Sequence, residues 1–446
     1  MKTFNTMAMM AAAATVFGLS MMANAASTDY WVPGGTGLWS SSTNWAGGSG
    51  GASGSTLASG NRAVFDYLSG TSPVTTTYNI STSGFSLLGV WEYAATATPE
   101  TFPDVVVTDP NNYTLALTGG NPPLENESNG VLTINAPISL SSAFGIRIGS
   151  QTDSSNVEVG TTPGVIVLSG PVSLGGNLSI LGDSSSSPSH YGNIVFNGTM
   201  SGAYSLTVNN GATGNHGYVE LGSANTFTGG VIIDHATLVV SNGSNGSATG
   251  SGALTFNAND SALAGSGTIS GPVNLKGGIS ITAGGELNPT VAPSDGYRNF
   301  IPTTGTLTLL DGLTMESSNF STNNVITFNF DVNGSTNSEM SITGGTFAPS
   351  YSDTVNVSGG IFTKGYYDLI SYSGSTVNYG SYVSLQALIN TWNLTGAPAG
   401  WSLFNDTAHN AIGIEGTPIP EPATIALLAF GGWGLLSIRR KRHTKL

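Results

Sequence analysis

The residues that could carry out chemistry in this 446-residue chain are few and widely separated. Two pairs of carboxylates stand close together in sequence, Glu125 with Glu127 and Asp104 with Asp109. Paired carboxylates act as acid and base, or acid and nucleophile, in glycoside hydrolases. Both pairs lie among prolines and asparagines, which indicates solvated turn residues rather than catalytic groups. The sequence therefore predicts no catalytic residue.

The histidines between the two ends of the chain show no metal-binding pattern. They are His190, His216, His235 and His409, and we expect each to be an exposed loop or turn residue. No two have the spacing of metal ligands, and no His-Glu-x-x-His motif occurs. His235 follows Asp234, but adjacent strand residues face opposite sides of a sheet, which argues against a catalytic pair. Cysteine is absent, which excludes thiol catalysis and cysteine-based metal sites. We predict no cofactor and no bound metal.

Charge is scarce and mostly negative. Charged residues form 8% of the chain, against about 25% in ordinary domains. Away from the two ends, the basic residues are Arg62, Arg147, Lys276, Arg298 and Lys364, whereas the chain has 25 acidic residues. Such a surface repels phosphate backbones, so nucleic acid is not a predicted partner. A β-helix polysaccharide lyase would need more basic side chains than these five to bind and neutralise an acidic sugar, so the composition argues against that class of enzyme.

The elements that would have to position any such residues are short strands. Alternating β-branched or aromatic runs recur along the chain, each bounded by Gly, Asn, Ser or Pro. Examples are Val131–Ile134, Gly164–Leu168, Asn193–Phe196, Thr237–Val240 and Val325–Phe330. Tyr382–Leu394 is the one candidate helix. The sequence therefore predicts an all-β protein.

A repeated corner indicates how the strands are arranged. Ser169–Leu174 and Ser270–Leu275 share the pattern Ser-Gly-Pro-Val-polar-Leu, and Asn135–Leu140 is a weaker third copy. Proline cannot donate to a central ladder, so it belongs at the corner before a strand. Imperfect strand–corner repeats of roughly 20 residues are typical of a solenoid. We predict a right-handed parallel β-helix, with tandem β-sandwich domains as the alternative.

The central segment resembles a known repeat. Its runs are Asn225–Ile233, Ala236–Val240, Gly252–Phe256, Leu263–Ile269 and Ala283–Pro289. Together they are similar to the autotransporter-associated β-strand repeat, which implies rungs of a right-handed parallel β-helix. We assign the solenoid to residues 71–300, with the resembling part near 225–289. At roughly 20 residues per rung, residues 26–417 as a whole would have on the order of 20 rungs.

Both ends of such a solenoid need caps, because open strand edges promote aggregation. Residues 26–70 are rich in aromatic side chains, and we predict that Trp31, Trp39, Trp45 and Phe65 cap the first rung. Residues 301–417 are predicted to form a C-terminal β region that closes the other end.

The N-terminus has the features of a secretory signal peptide. Met1-Lys2 gives a weakly positive start, Ala8–Met22 is apolar, and Ala23-Asn24-Ala25 is a small-x-small cleavage site. Residues 1–25 are therefore predicted to be removed by signal peptidase, with Ala23 and Ala25 at the cleavage site.

The C-terminal segment, residues 418–446, combines three features in order. They are the tripeptide Pro420-Glu421-Pro422, an uncharged run from Ala423 to Ile438, and the basic stop Arg439, Arg440, Lys441 and Arg442. The uncharged run, 423–438, is predicted to be one transmembrane helix, and the four cations would hold its end in the cytoplasm.

This segment resembles the PEP-CTERM family of sorting signals. The resemblance implies processing by an exosortase-type enzyme near Pro-Glu-Pro. The precursor would be anchored in the membrane, and the product would lie in the cell envelope or outside the cell.

These features predict an exported, non-enzymatic structural protein of the cell surface or extracellular matrix. One alternative is a carbohydrate-binding or adhesin-like β-helix module, with extracellular polysaccharide as a candidate partner. The other is a β-helix carbohydrate-active enzyme, which would need two carboxylates converging in one groove.

Overall fold

The computed structural model describes residues 28–31, 37–47, 56–65, 74–93, 104–119, 123–128, 130–141, 144–148, 164–182, 192–209, 217–258, 261–276, 278–287, 300–302, 305–316 and 325–418. The predicted signal peptide, with Ala23 and Ala25, lies outside these residues, as do His190 and His216. The same holds for Pro420, Glu421 and Pro422, for the predicted membrane helix 423–438, and for the basic stop at Arg439–Arg442.

Two long sheets dominate the described residues. Sheet A contains, in spatial order, β3 (Trp45–Ala46), β1 (Thr28–Trp31), β4 (Arg62–Phe65), β6 (Gly89–Tyr93), β9 (Leu124–Glu127), β12 (Phe144–Ile148), β15 (Leu178–Gly182), β18 (Leu206–Asn209), β20 (Val231–Asp234), β22 (Leu254–Phe256), β25 (Val273–Lys276), β30 (Leu313–Glu316), β34 (Thr346–Ala348) and β37 (Thr376–Val377). Sheet B contains β2 (Gly37–Leu38), β5 (Val74–Thr77), β7 (Val105–Thr108), β10 (Val131–Ile134), β13 (Val165–Leu168), β16 (Asn193–Phe196), β19 (Tyr218–Leu221), β21 (Thr237–Val240), β23 (Ala262–Gly265), β26 (Ser280–Ala283), β31 (Thr327–Gly334), β35 (Thr354–Phe362) and β38 (Asn393–Thr395), with β32 (Thr336–Asn337) beside β31.

Shorter elements complete the structure. Sheet C contains β17 (Met200–Ser201), β14 (Val172–Leu174), β11 (Ile138–Leu140) and β8 (Leu115–Leu117). Sheet D contains β24 (Thr268–Ile269), β29 (Thr306–Leu309), β33 (Glu339–Ile342), β36 (Tyr366–Ser371), β40 (Ala411–Glu415) and β39 (Ser402–Asp406). Sheet E is the pair β27 (Gly285–Leu287) and β28 (Phe300–Pro302). The helices are a 3₁₀ turn at Ser42–Asn44 and α1 at Leu385–Ile389, which lies inside the predicted helix candidate.

The chain visits the sheets in a cyclic order. β10, β11 and β12 enter sheets B, C and A in turn, and β13, β14 and β15 repeat that order one strand further along each sheet. The pairing of each strand with its counterpart in the next coil is parallel. The protein is therefore all-β with long parallel sheets, compatible with the predicted solenoid. β-Sandwiches are built from antiparallel sheets, so the alternative does not fit the described residues.

Alternating side chains explain why these segments form stacked strands. In β13, Ile166 and Leu168 are buried, whereas Val165 and Val167 are partly exposed. The parallel register keeps each buried position above the one before it. The result is a continuous apolar column through sheet B: Val105, Leu132, Ile166, Ile194, Val219, Leu238, Leu263, Ile281, Phe328 and Val355.

The Gly-Pro corners lie where neighbouring coils approach closely. A Cβ at Gly170 would fall 2.2 Å from the carbonyl oxygen of Ala136, and one at Gly271 would lie even closer to the backbone of Gly252. Only glycine allows such an approach without moving the backbone. The two copies of the corner lead into different sheets: the strand after Pro171 joins sheet C, and the strand after Pro272 joins sheet A.

The coils are fewer and longer than predicted. Sheet A has 14 strands within the described part of the chain, against the order of 20 rungs expected. Coil length also varies, since Leu263 pairs with Ile281, but Ile281 pairs with Phe328 in the next coil. The long intervening segment includes sheet E, an antiparallel pair that belongs to neither long sheet.

The two ends of the structure differ. At the first end, Trp31, Trp39, Trp45 and Phe65 are buried against one another, with ring centroids of Trp31 and Trp45 5.0 Å apart. At the other end, β36, β40 and β39 pair antiparallel, so a hairpin closes sheet D. Antiparallel closure ends the parallel ladder, consistent with a cap at residues 301–417, although the predicted domain boundaries themselves stay predictions.

Candidate functional site

The first predicted carboxylate pair does not form a catalytic centre in the structure. Glu125 lies in β9 with only 4% of its surface exposed, and its Oε1 lies 3.3 Å from Nη1 of Arg147 on the neighbouring strand. The prediction of a solvated turn residue was therefore wrong for Glu125, because Leu124–Glu127 is a strand despite the prolines that precede it. The side chain of Glu127 lies outside the described residues.

The second pair is separated by a strand. Asp104 and Asp109 flank β7, so about 16 Å of extended chain lies between them at roughly 3.3 Å per residue. Asp104 Oδ1 accepts a hydrogen bond from the backbone nitrogen of Val131, and Asp109 Oδ1 accepts one from that of Asn111. The separation is too large for a glycosidase pair, in which carboxyl groups lie about 5–9.5 Å apart. Both carboxylates lie outside the strand, as predicted. Asp104 is exposed, whereas Asp109 is only partly exposed and its Oδ2 is buried without a hydrogen-bond partner.

The structure shows a buried carboxylate that the sequence did not reveal. Glu92 in β6 is 1% exposed, and its Oε1 accepts a 2.6 Å hydrogen bond from Ser128 Oγ. Its other oxygen has no hydrogen-bond partner. Burial raises the pKa of Glu92 to about 8. The residue is therefore mostly protonated at neutral pH, and its role is compatible with packing between coils.

A second buried carboxylate, Asp353, has a clearer structural role. Its Oδ2 accepts a hydrogen bond from Ser350 Oγ, and its Oδ1 accepts one from the backbone nitrogen of Ile326 in the preceding coil. Burial raises the pKa of Asp353 to about 7, against the effect of both hydrogen bonds. Asp353 thus joins two coils at the start of β35.

Two basic residues of the body come together on one face of sheet A. The guanidinium carbon of Arg62 lies 4.2 Å from the ring centroid of Trp91. In the parallel register, Trp91 is opposite Glu125, and Glu125 is opposite Arg147. The cation, the aromatic ring and the ion pair therefore form one column across neighbouring coils. Sequence reasoning missed this column because its members come from separate coils.

His235 occupies a turn, not a strand. It lies between β20 and β21 with a φ angle of 55°, so it and Asp234 need not face opposite sides. Its Nε2 lies 3.7 Å from Asp234 Oδ1. The strand argument against this contact was therefore wrong, because the chain leaves the extended conformation at His235. His235 is only partly exposed, with 25% of its side-chain surface accessible.

His409 is an exposed turn residue, as predicted, but it has acidic neighbours. It lies in the turn between β39 and β40, and its Nδ1 lies 2.6 Å from Asp406 Oδ2 and 3.6 Å from Asp368 Oδ2. Asp406 Oδ1 accepts hydrogen bonds from the backbone nitrogens of Ala408 and His409. The hydrogen bond that His409 Nδ1 donates to the Asp406 carboxylate raises the pKa of His409. We name Asp368, Asp406 and His409 the terminal cluster.

Part of the terminal cluster could have been found in the sequence. Asp406 and His409 are three residues apart, a spacing that a tight turn can bring together. Asp368 is distant in sequence and reaches the turn only because β36 and β39 both pair with β40. The three residues each offer one ligand atom, and these atoms all lie within 4.8 Å of one another. The sequence-based expectation of no metal-binding pattern considered only the spacing of histidines.

No helix within the described residues is both long enough and apolar enough to cross a membrane. The predicted span at residues 423–438 lies outside them, so it stays a prediction.

Comparison with known proteins gives one match. No curated protein and no solved structure matches the chain. The match to a family model covers residues 418–442 alone and does not extend to residues 225–289, so the autotransporter-like repeat stays a prediction. The match confirms the predicted C-terminal signal and implies export through sorting by an exosortase-type enzyme. Residues 418–442 are a PEP-CTERM protein-sorting motif.

Proposed function

We propose that this chain is an exported, non-enzymatic structural protein of the cell surface or extracellular matrix. Its body would be a right-handed parallel β-helix, the hand that parallel crossover connections almost always adopt. The observation that carries the proposal is the combination of a 14-stranded sheet, in which every described strand except β3 pairs in parallel, with a C-terminal sorting motif. Such a ladder gives an extended, repetitive surface, and the motif directs the protein to the export and sorting pathway.

The contacts of the buried carboxylates support a structural role. Glu125 pairs with Arg147, Glu92 binds Ser128, and Asp353 joins two coils. Each contact joins residues from different coils or fixes a corner. These acidic groups therefore contribute to the fold. In each contact the partner of the carboxylate is a cation, a hydroxyl group or a backbone nitrogen, and not a second carboxylate.

Polar ladders on the outward face of sheet B support the same role. Asn329 Nδ2 donates to Ser280 Oγ at 2.9 Å, and Asn356 Nδ2 donates to Asn329 Oδ1 at 3.1 Å. Thr395 Oγ1 donates to Asn356 Oδ1, which extends the ladder to a further coil. Hydrogen bonds of this kind between coils stiffen a solenoid that has no disulfide to hold it.

Maturation would involve both ends of the chain. Signal peptidase would remove residues 1–25 after Ala25, and residues 423–438 would hold the precursor in the membrane, with Arg439–Arg442 on the cytoplasmic side. The exosortase-type enzyme would then act near Pro420-Glu421-Pro422. The product would remain in the envelope or leave the cell.

Localisation tests the proposal. The full-length protein, a form lacking residues 418–446, and the double variant Pro420→Ala/Pro422→Ala are expressed in a cell that encodes an exosortase-type enzyme. Pro398→Ala, in a loop of the body, is the matched control. We expect intact-mass spectrometry to find both cleavages in the wild type and the control, and no C-terminal cleavage in the double variant. C-terminal cleavage of the double variant to the same extent as the wild type, or an unchanged location of the form lacking residues 418–446, would contradict the sorting claim. Release of reducing ends from a polysaccharide panel would contradict the non-enzymatic claim.

Carbohydrate binding is a second candidate, which the column on sheet A favours. Indole rings stack on sugar rings, and guanidinium groups bind carboxylates in a fixed geometry. Trp91 lies between Arg62 and the Glu125–Arg147 ion pair. Glycan-array binding that Trp91→Leu abolishes, and that Tyr204→Leu at an exposed aromatic residue elsewhere preserves, would support this function. The absence of binding by the wild-type protein would exclude it.

A further inference from the structure

The terminal cluster brings three metal-ligating side chains to one point. Asp406 and His409 come from the turn between β39 and β40, and Asp368 comes from β36 on the other side of β40. The Nδ1 atom of His409 lies 2.6 Å from Asp406 Oδ2 and 3.6 Å from Asp368 Oδ2. All three ligand atoms lie within 4.8 Å of one another.

The turn explains only part of this arrangement. Asp406 Oδ1 accepts backbone hydrogen bonds from Ala408 and His409, a local motif that needs no other residue. Asp368 plays no part in that motif, yet its carboxylate approaches the same imidazole. Its Oδ1 is buried and has no hydrogen-bond partner. A second carboxylate, partly desolvated and close to the first, is unfavourable unless something compensates its charge.

The cluster places two carboxylates around one basic side chain. His409 contacts both of them, at 2.6 Å from Asp406 Oδ2 and 3.6 Å from Asp368 Oδ2. Lys364 also acts electrostatically on Asp368. An arrangement of two carboxylates around one imidazole would attract a further positive charge.

We propose that Asp368, Asp406 and His409 bind one divalent cation of the zinc or manganese type. Carboxylate oxygens and an imidazole nitrogen are common ligands of such ions, with bonds of about 2.0–2.2 Å. Ligand atoms around one ion then lie about 3–4.4 Å apart. The 3.6 Å between His409 Nδ1 and Asp368 Oδ2 is within that range, whereas the 2.6 Å between Nδ1 and Asp406 Oδ2 is a hydrogen bond that would open when an ion binds. Calcium takes oxygen ligands instead, so it is not the expected ion.

Two neighbours position the ligands. The ring of Tyr366 is nearly parallel to the imidazole of His409, with 9° between the planes and 6.4 Å between the centroids. Gly413 lies opposite Asp368 in the ladder, and a Cβ there would come nearest to the backbone oxygen of Tyr367, at 2.5 Å, and within 3.2 Å of Asp368 Oδ1. The glycine is therefore required first by the neighbouring backbone, and it also leaves room for the carboxylate.

A bound ion would join the last strands of the body. It would connect β36 to the hairpin of β39 and β40, and β40 ends at Glu415, just before the sorting motif begins at residue 418. We infer that the ion stabilises this terminal hairpin next to the segment where processing is proposed. The metal site itself does not depend on the proposed function, since binding can be measured on the unprocessed chain.

Titration calorimetry on the EDTA-treated full-length protein in detergent tests the proposal. The probes are Zn²⁺ and Mn²⁺ alone, and the variants are His409→Gln and Asp368→Asn. His235→Gln is the matched control, because His235 also lies near an aspartate but belongs to no three-residue cluster. We expect each cluster variant to weaken binding about tenfold or more, as loss of a ligand or its support does, and the control to bind like wild type.

A second measurement separates binding from folding. Circular dichroism and urea unfolding without metal should be the same for wild type and variants, while Zn²⁺ raises the unfolding midpoint of wild type alone. Electron paramagnetic resonance of Mn²⁺ would report one tightly bound ion. Absence of binding by wild type, or equal loss in His235→Gln and the cluster variants, would overturn the proposal.

Discussion

Arg147 on β12 and Glu125 on β9 face each other across two neighbouring coils, with 3.3 Å between Nη1 and Oε1. The carboxylate is buried, with 5% of its side-chain surface exposed, whereas 36% of the arginine side chain is exposed. Arg147, one of the few basic residues away from the ends of the chain, therefore forms an ion pair between neighbouring parallel strands. Taking away the positive partner should matter more than neutralising the negative one, because an uncompensated buried charge is costly.

We predict that Arg147→Met destabilises the protein more than Glu125→Gln does. The methionine variant leaves the Glu125 carboxylate without its ion pair, at a cost of about 1–3 kcal/mol given the partial exposure of the arginine. The glutamine variant removes the charge that needs compensation. Urea unfolding at pH 7 followed by circular dichroism measures both. Equal destabilisation by the two variants would show that packing, rather than charge, dominates at this pair.

Glu92 should make stability depend on pH. Burial raises its pKa from 4.5 to about 8, so the folded state holds a proton that the unfolded state has released over this interval. The contribution of the protonated Glu92 side chain to the free energy of unfolding is therefore fully present below about pH 4.5, and it is lost as pH rises toward 8. Asp353, whose pKa rises from 3.8 to about 7, acts in the same direction. We predict that the urea midpoint falls between pH 5 and pH 8.

Glu92→Gln isolates this effect. The amide is neutral at every pH and keeps an oxygen that accepts the hydrogen bond from Ser128. The decline of the urea midpoint with pH should become shallower in this variant, and remain in the control Glu415→Gln at an exposed position of β40. A decline of unchanged slope in Glu92→Gln would mean that this carboxylate is ionised in the folded protein.

The sequence was most informative where one coil determines the structure. The β-branched run Val165–Leu168 is local, and it predicted the strand; which face is buried was visible only in the structure. The corner before Pro171 was also predictable, because proline and glycine restrict the backbone wherever they occur. These rules gave the strands, the corners and the all-β class without any knowledge of neighbouring coils.

The sequence was least informative where two coils meet. Glu125 reads as a turn residue after Pro122 and Pro123, and only its register against Arg147 explains why it is buried. Coil length is equally non-local, so Ile281 and Phe328 could not have been paired from their spacing. The terminal cluster was missed for the same reason, since Asp368 reaches His409 across β40.

The glycine corners provide a direct test of close coil packing. We predict that Gly170→Ala destabilises the protein by about 1–3 kcal/mol, because its Cβ would lie 2.2 Å from the carbonyl oxygen of Ala136 and the backbone would have to move. Gly365→Ala is the matched control, since the nearest atom to its Cβ would be 3.6 Å away. Urea midpoints compare the two. A control as destabilised as Gly170→Ala would indicate that glycine flexibility, not space, is the cause.

The aromatic cluster at the first coil should protect the open end of the ladder. Trp45 is fully buried, its ring lies 5.6 Å from that of Trp39, and its Nε1 donates to the backbone oxygen of Trp39. We predict that Trp45→Ala costs about 3–5 kcal/mol locally. Because the terminal coil would then open and expose strand edges, the variant should also aggregate. Urea unfolding and light scattering measure the two effects, with Val383→Ala, at an 89% exposed position, as the control. Loss of stability without aggregation would show that the cluster stabilises the first coil but does not act as a cap.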